Sequence, residues 1–478
     1  MNSSDNLFGG IQPEGMQKEV LALPAKGHTV ILGTAGSGKT TMALWRAIFL
    51  TNLPTHPNVL VVTFNMALVK YMRAMGNLNK KNLTIENYHK FARGYLDNLG
   101  KMPKWNGVVN PDDKEYYINE ALEYYRCRFP EESTFRRPVS IFIDEISFIQ
   151  KFGIETLEQY LDVERIGRAS VNIKRENRKY FFAIYKEYMR LREQKQQSYD
   201  WDDMALYVYK ELQNDIRKRR YDHVIVDEGQ DFSPMMVKSL IAATNVNGSF
   251  TFLGDVAQQI YGSRLSWRDS GININDNGIW KFDVNYRNPA IISAFAKDIA
   301  NSKYWEHNTD MISPTSVIAE GPKPVLIQFK TREKEVDWII KMIRANVNIS
   351  SNVIICRNRA IVDEFFKVLK RIGIFPTIID RNQAGFGNIK GVCLSTFHAV
   401  KGLEFENVFV PYLSEGIFPD GEILENAVSK TTVLSDELKL LYVAATRSKY
   451  GLFMSYHQSL SRLFPEKSIN YDSAEGDN

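Results

Sequence analysis

Gly33-Thr34-Ala35-Gly36-Ser37-Gly38-Lys39-Thr40 is the stretch that decides the fold. It fits the spacing GxxxxGK[ST], and its flanks agree with that pattern. An apolar, strand-like run, Thr29-Val30-Ile31-Leu32, leads into it, and a helix-like run, Thr41-Met42-Ala43-Leu44-Trp45-Arg46-Ala47-Ile48, leads out. Strand, glycine-rich turn and helix together spell a phosphate-binding loop. Glycines let backbone N–H groups crowd around a triphosphate at the positive end of a helix. Lys39 is expected to reach the β- and γ-phosphates, and the Thr40 hydroxyl to hold Mg2+. Gly33 to Thr40 and the following Thr41 are the expected nucleotide contacts. The loop specifies a nucleoside triphosphatase and leaves open what the energy is used for.

At 478 residues the chain has room for about three domains. With 44% hydrophobic and 24% charged residues it reads as a globular protein with ample core. A net charge of +4 is compatible with nucleic acid without demanding it. The start, Met1-Asn2-Ser3-Ser4-Asp5-Asn6, is polar and unlike a secretory signal, and no apolar run approaches a membrane span. Cysteines 127, 356 and 393 are too far apart for a disulfide framework, zinc site or iron–sulfur pattern. A reducing, cytoplasmic setting without membrane contact is therefore expected.

Residues 29–32, 59–64, 223–227 and 250–254 read as short buried strands, each followed by turn or helix signals, as in a parallel sheet with crossover helices. A second set at 324–329, 352–356, 391–396, 407–411 and 451–456 alternates with helical patterns such as Glu333 to Ala345. The fold class is thus α/β, with two sheet domains. Within the first set the chain from 96 to 204 is charged and helix-patterned, and reads as a helical insertion into the first domain. Its basic residues, Lys174, Arg175, Arg178, Lys179, Lys186, Arg190, Arg192 and Lys195, suit a solvated helix face better than a nucleic-acid path. The expected division is 1–95 with 205–283, then 96–204, then 284–465, with a disordered polar tail at 466–478.

A phosphate-binding loop needs a partner strand that ends in acids. Two segments qualify: Ile141-Phe142-Ile143-Asp144-Glu145 and Val224-Ile225-Val226-Asp227-Glu228. In either, the first carboxylate would bind Mg2+ and the next would orient and deprotonate the attacking water. The second is favoured because it continues as Gly229-Gln230-Asp231, with Gln230 placed to sense the γ-phosphate. Gly254-Asp255-Val256-Ala257-Gln258 follows and offers a second sensing glutamine, Gln258.

In order and wording these residues resemble superfamily 1A helicases of the UvrD/Rep/PcrA type. Gln17 resembles the adenine-reading Q motif, Val62-Thr63-Phe64-Asn65 motif Ia, and Thr84 to Phe91 the TFH-type motif. Asp200-Trp201-Asp202-Asp203-Met204 resembles the DFDDL helix, and Gly254 to Gly262 motif III. Asn285-Tyr286-Arg287 resembles motif IV, Ser395 to Phe405 motif V, and Leu441-Tyr442-Val443-Ala444-Ala445-Thr446-Arg447 motif VI. The resemblance implies two RecA-like P-loop domains that share one ATP. Tyr286 would stack on adenine, Glu404 contact the ribose, and Arg287 and Arg447 stabilise the γ-phosphate. The implied activity is ATP-driven 3′→5′ movement on single-stranded DNA. Candidate base contacts are Phe64, Tyr88, His89, Tyr261, Trp267, Phe397 and His398, with Phe64, Tyr261 and Trp267 favoured.

The pattern also departs from the family. Thr41 stands where arginine often follows GKT, and Asn65-Met66-Ala67-Leu68 and Ser263-Arg264-Leu265-Ser266 replace the usual endings of motifs Ia and III. Only a short stretch, Asp380 to Lys390, separates the preceding strand from motif V, so the 2B domain is expected to be absent or reduced. This motivates an alternative: an ATPase motor or sensor subunit that needs a partner, such as a nuclease in repair or anti-phage defence. A non-motor, nucleotide-dependent binding module is a further alternative, and the two arginine motifs argue against it.

Overall fold

The computed structural model describes residues 18–20, 23–34, 36–64, 66–75, 80–103, 107–163, 173–216, 220–255, 270–274, 278–282, 284–285, 288–305, 315–316, 321–346, 350–379, 391–400, 403–426 and 430–476. In chain order its first half carries strands β1 (Gly27–Gly33), β2 (Val59–Thr63), β3 (Leu83–Asn87), β4 (Val108–Val109), β5 (Tyr199–Asp200), β6 (Tyr221–Val226), β7 (Thr244–Gly254) and β8 (Ile279–Phe282). Six of these form a parallel sheet in the order β3-β2-β6-β7-β1-β8. Its strands are near-continuous β-branched runs because both faces are covered: every residue of Val59-Leu60-Val61-Val62-Thr63 is buried. β1 and β6 both end at the same rim, which brings the loop after Gly33 beside the acids after Val226. In parallel sheets ligands bind at that rim.

The segment between β3 and β6 is mostly helical, with helices Pro111–Arg128, Val139–Phe152, Leu157–Asp162 and Arg178–Gln194 around their own core of Phe142, Phe148, Phe181 and Tyr188. The short pair β4–β5 closes its base. There the buried Lys114 ammonium meets Asp200 at 2.9 Å and Asp202 at 2.8 Å, and Arg192 meets Asp203 at 2.5 Å. Desolvation alone would expel such charges, and their mutual pairing holds them. Ile141 to Glu145, the weaker candidate for an acid-tipped strand, lies inside the helix Val139–Phe152. Its spacing of Ile141, Phe142, Glu145, Ile146, Phe148 and Ile149 buries one helical face, and Glu145 is held there by the Tyr160 hydroxyl at 2.5 Å.

The second half carries β9 (Val284–Asn285), β10 (Thr315–Ser316), β11 (Val325–Phe329), β12 (Ser351–Cys356), β13 (Thr377–Ile379), β14 (Gly391–Thr396), β15 (Phe405–Val410), β16 (Ser448–His457) and β17 (Asp472–Glu475). β9 and β10 pair with each other. The other seven form a second parallel sheet, β13-β14-β12-β15-β16-β11-β17. Helices such as Ala290–Ala300, Arg359–Arg371 and Lys430–Ala445 cover it. The chain therefore has the two helix-flanked parallel sheets of a pair of RecA-like domains.

The tail corrects one expectation. Residues 472–475 are not disordered but form the edge strand β17, in parallel register with Val325 to Gln328. Asp472 N donates to Pro324 O and Gly476 N to Gln328 O, both at 2.9 Å. Upstream, the Tyr471 ring packs on Phe295 and Phe464, while Ser468 and Asn470 bond the Asp298 carboxylate. The ladder uses backbone groups, so a polar, solvent-facing edge strand needs no apolar signature. The stretch Asp380 to Lys390, on which the reduced 2B domain rests, lies outside the described residues.

Candidate active site

The loop after β1 turns into helix Lys39–Thr51 through Gly36 (φ 79°) and Gly38 (φ 81°), left-handed conformations that a side chain would strain. The Lys39 ammonium is buried, donates to Gly33 O at 2.9 Å and Thr34 O at 2.7 Å, and lies 3.8 Å from Asp255 Oδ2. Thr40 Oγ1 donates to Asp227 Oδ2 at 2.8 Å. The other carboxylate oxygen, Asp227 Oδ1, is buried with no hydrogen-bond partner. Burial, then the neighbouring Glu228 charge, pushes the Asp227 carboxyl up to about 7, against the Thr40 hydrogen bond and Lys39. A buried carboxylate with one bare oxygen, joined to a hydroxyl, is a hard-oxygen set that fits Mg2+.

Glu228 stands in the left-handed region (φ 53°, ψ 42°), an unusual conformation for a residue with a side chain. The turn aims its carboxylate back toward Gln230, whose Nε2 donates to Glu228 Oε2 at 2.5 Å. On its other side Gln230 Oε1 accepts from Asp255 N at 2.8 Å. Gln230 thus links the acid after β6 to the end of β7, and Asp255 in turn faces Lys39. In the second domain the buried Tyr442 hydroxyl is pushed far up by desolvation and, next, by the Asp255 charge.

Arg447 is buried, donating from Nε to Val443 O at 3.0 Å and from Nη1 to Leu403 O at 3.4 Å. Glu404, next to Leu403, pairs with Lys449 at 2.9 Å. The structure therefore gathers Gly33, Thr34, Gly36, Ser37, Gly38, Lys39, Thr40 and Thr41 with Asp227, Glu228 and Gln230, and assembles Glu404 and Arg447 within the second domain. Gln17, Ala35, Gln258, Tyr261, Trp267, Tyr286 and Arg287 lie outside the described residues.

Among the nucleic-acid candidates, Phe64 is half-buried, edge-on to His89 (5.7 Å) and to Phe232 (6.1 Å). His89 is in turn edge-on to Trp201 at 5.2 Å, and the Arg93 guanidinium lies 5.9 Å from the Trp201 ring centre. Burial pushes the His89 imidazole down, more strongly than the nearby Asp202 raises it. Trp201, not among the sequence candidates, extends this row of half-buried rings. Its position as the only aromatic among the acids of Asp200-Trp201-Asp202-Asp203 was the available signal.

Tyr88 is a correction: it is fully buried, its hydroxyl 2.7 Å from Ser239 Oγ and its ring edge-on to Phe232, so it has no free face for a base. The spacing Tyr88, Phe91, Ala92, Tyr95, Leu96 is the apolar stripe of helix Tyr88–Asn98 and carried that information. Phe397 is likewise buried, stacked on Phe418 at 5.7 Å. His398 is half-buried in the turn after β14.

With this geometry in place the chain can be compared with known proteins. Residues 14–277 match the UvrD/REP helicase N-terminal domain, and residues 280–386 and 377–459 match the UvrD-like helicase C-terminal domain. A probable DNA helicase of Mycoplasma pneumoniae is 24% identical over 463 residues, covering 90% of this chain and 80% of that protein. A probable DNA helicase II homolog of Mycoplasma capricolum is 26% identical over 339 residues, covering 66% of this chain and 44% of that protein. The ATP-dependent DNA helicase Rep of Buchnera aphidicola is 26% identical over 311 residues, covering 60% of this chain and 44% of that protein. The chain thus spans most of the first relative and under half of the other two. The loop at Gly33 to Thr40, Asp227, Glu228 and Arg447 all fall within matched segments, and the protein belongs to the UvrD-like DNA helicase family.

Proposed function

We propose that this chain hydrolyses ATP between its two sheet domains and uses the cycle to move 3′→5′ along single-stranded DNA. The observation that carries the reading is the linked set at the rim of the first sheet: Thr40 to Asp227, Glu228 to Gln230, Gln230 to Asp255, and Asp255 beside Lys39. Residues 1–95 with 205–283 form the ATP-binding 1A domain, 96–204 the 1B-like insertion, and 284–465 the 2A domain, to which the strand at 472–475 adds an edge.

Lys39 leaves the loop carbonyls for the β- and γ-phosphates when ATP enters. Thr40 and Asp227 are the residues that would hold Mg2+, which would supply positive charge against the triphosphate. Glu228 takes the proton of the attacking water. Gln230 carries the state of Glu228 to Asp255, and from there to the helix that bears Tyr442. Arg287 and Arg447 supply charge to the γ-phosphate from the second domain, with Gln258 as a further sensor. ATP then holds the two domains together, and hydrolysis releases them. Tyr286 and Glu404, with Gln17, fix the nucleoside. Phe64, His89 and Trp201 stack the bases, with Tyr261, Trp267 and His398 as further candidate contacts.

Among the described residues no helix is long and apolar enough to cross a membrane. Cys127, Cys356 and Cys393 are free thiols, as a reducing, cytoplasmic setting would keep them. The short stretch Asp380 to Lys390 favours a second reading, in which the motor translocates but needs a partner, such as a nuclease, to unwind. A strand-displacement assay on the chain alone separates the two. Robust unwinding supports the self-sufficient helicase, and DNA-stimulated ATPase without unwinding supports the partnered motor.

A further inference from the structure

We propose that Asn288 is the positioning residue that holds the two arginine motifs of the second domain in one register. The proposal rests on the reading above, in which Arg287 and Arg447 both reach the γ-phosphate. Asn288 follows Arg287 directly and is fully buried. Its side-chain Nδ2 donates to Thr446 O at 3.2 Å and to Ser448 O at 2.5 Å. Those two residues flank Arg447. A carboxamide has two N–H donors on one nitrogen, and here both are turned to the neighbours of a single arginine. One planar group is thus covalently next to the first arginine and bonded on either side of the second.

Motif V is tied into the same knot. Phe405 N donates to Arg447 O at 3.0 Å, and Arg447 Nη1 donates to Leu403 O at 3.4 Å. The Thr446 hydroxyl accepts from Arg447 Nη2 at 3.2 Å and donates to Val443 O at 2.9 Å. The segments at 288, 403–405 and 443–448 therefore move as one piece, and Asn288 is the member that brings in the segment carrying Arg287. Phosphoryl transfer depends on positioned charge, and a displacement of about 1 Å costs up to about a hundredfold in rate.

Asn288→Asp keeps the shape but removes both donors and sets a charge against two carbonyls. Asn288→Ser keeps one hydroxyl donor on a shorter arm. The experiment measures steady-state ATPase at saturating single-stranded DNA for the wild type, both Asn288 variants, Arg447→Ala and the Asn288→Asp/Arg447→Ala double variant, with thermal melting of each. Asn288→Asp should lower kcat by about ten- to a hundredfold with the KM for ATP within about threefold of wild type. Asn288→Ser should recover part of that loss. In the Arg447→Ala background Asn288→Asp should cost clearly less than it does alone, because only Arg287 is then left to misplace and residues acting as a unit are not additive. A full, multiplicative loss in the double variant, or wild-type kcat in Asn288→Asp, overturns the proposal. If Asn288→Asp lacks a cooperative melt, the same cycle is read with Asn288→Ser under the same criteria. Wild-type kcat in Arg447→Ala alone overturns the reading of the site beneath it, a different outcome from either.

Discussion

Thr40 donates its hydroxyl to Asp227 across 2.8 Å, although 187 positions separate the two residues in the chain. The parallel order of the first sheet makes that meeting possible, because β1 and β6 end at the same rim with β7 between them. Beside this bond Asp227 Oδ1 is buried with no hydrogen-bond partner, which is where the proposed Mg2+ would be held. Replacing Asp227 by Asn should lower ATPase by at least about a hundredfold, since the proposed Mg2+ would lose its anionic ligand. The apo protein should melt no lower than wild type, because a buried charge is costly to fold around. ATPase together with differential scanning calorimetry checks both halves.

Gln230 touches Glu228 and Asp255 at once. Gln230→Ala should break the link between Glu228, the proposed catalytic base, and the end of β7. Basal ATP binding, read with a fluorescent nucleotide, should stay within about threefold of wild type, while DNA-stimulated kcat falls about tenfold or more. Equal loss of binding and turnover would contradict a coupling role.

The row Phe64, His89, Trp201 predicts a contrast with Tyr88. Trp201→Ala should weaken single-stranded DNA binding by about 1–3 kcal/mol, as removal of a stacking platform does. Tyr88→Phe should leave DNA affinity unchanged and cost about 1 kcal/mol of stability, from the lost bond to Ser239. Fluorescence anisotropy with a short oligonucleotide and urea unfolding distinguish the two.

The edge strand predicts that removal of residues 466–478 destabilises the second domain. The truncation exposes the β11 ladder and strips Asp298 of Ser468 and Asn470. A lower melting temperature and greater aggregation are expected, since an uncovered strand edge pairs with other chains. A tail that only trails in solvent would leave both unchanged.

Motifs that depend on local spacing were legible in the sequence. The loop at Gly33 to Thr40 carries its own turn chemistry, and Asp227-Glu228 follows a run too apolar for anything but a buried strand. What escaped depends on tertiary placement. Tyr88 sits beside His89 in the chain, yet one ring is fully buried and the other half-buried, since adjacent helical positions point in different directions. β17 draws its order from backbone bonds to Pro324 and Gln328, which side-chain composition does not encode. Asn288 shows its role only when Thr446 and Ser448 are brought to it across the fold.

The central claim is that ATP turnover in this cleft is coupled to a nucleic-acid strand. Steady-state ATPase of the purified chain with no nucleic acid, single-stranded DNA, duplex DNA and single-stranded RNA tests it most directly. The account predicts low basal turnover, stimulation of about tenfold or more by single-stranded DNA and a weaker response to duplex. A rate that stays flat across all four conditions, in protein that binds ATP, would contradict it.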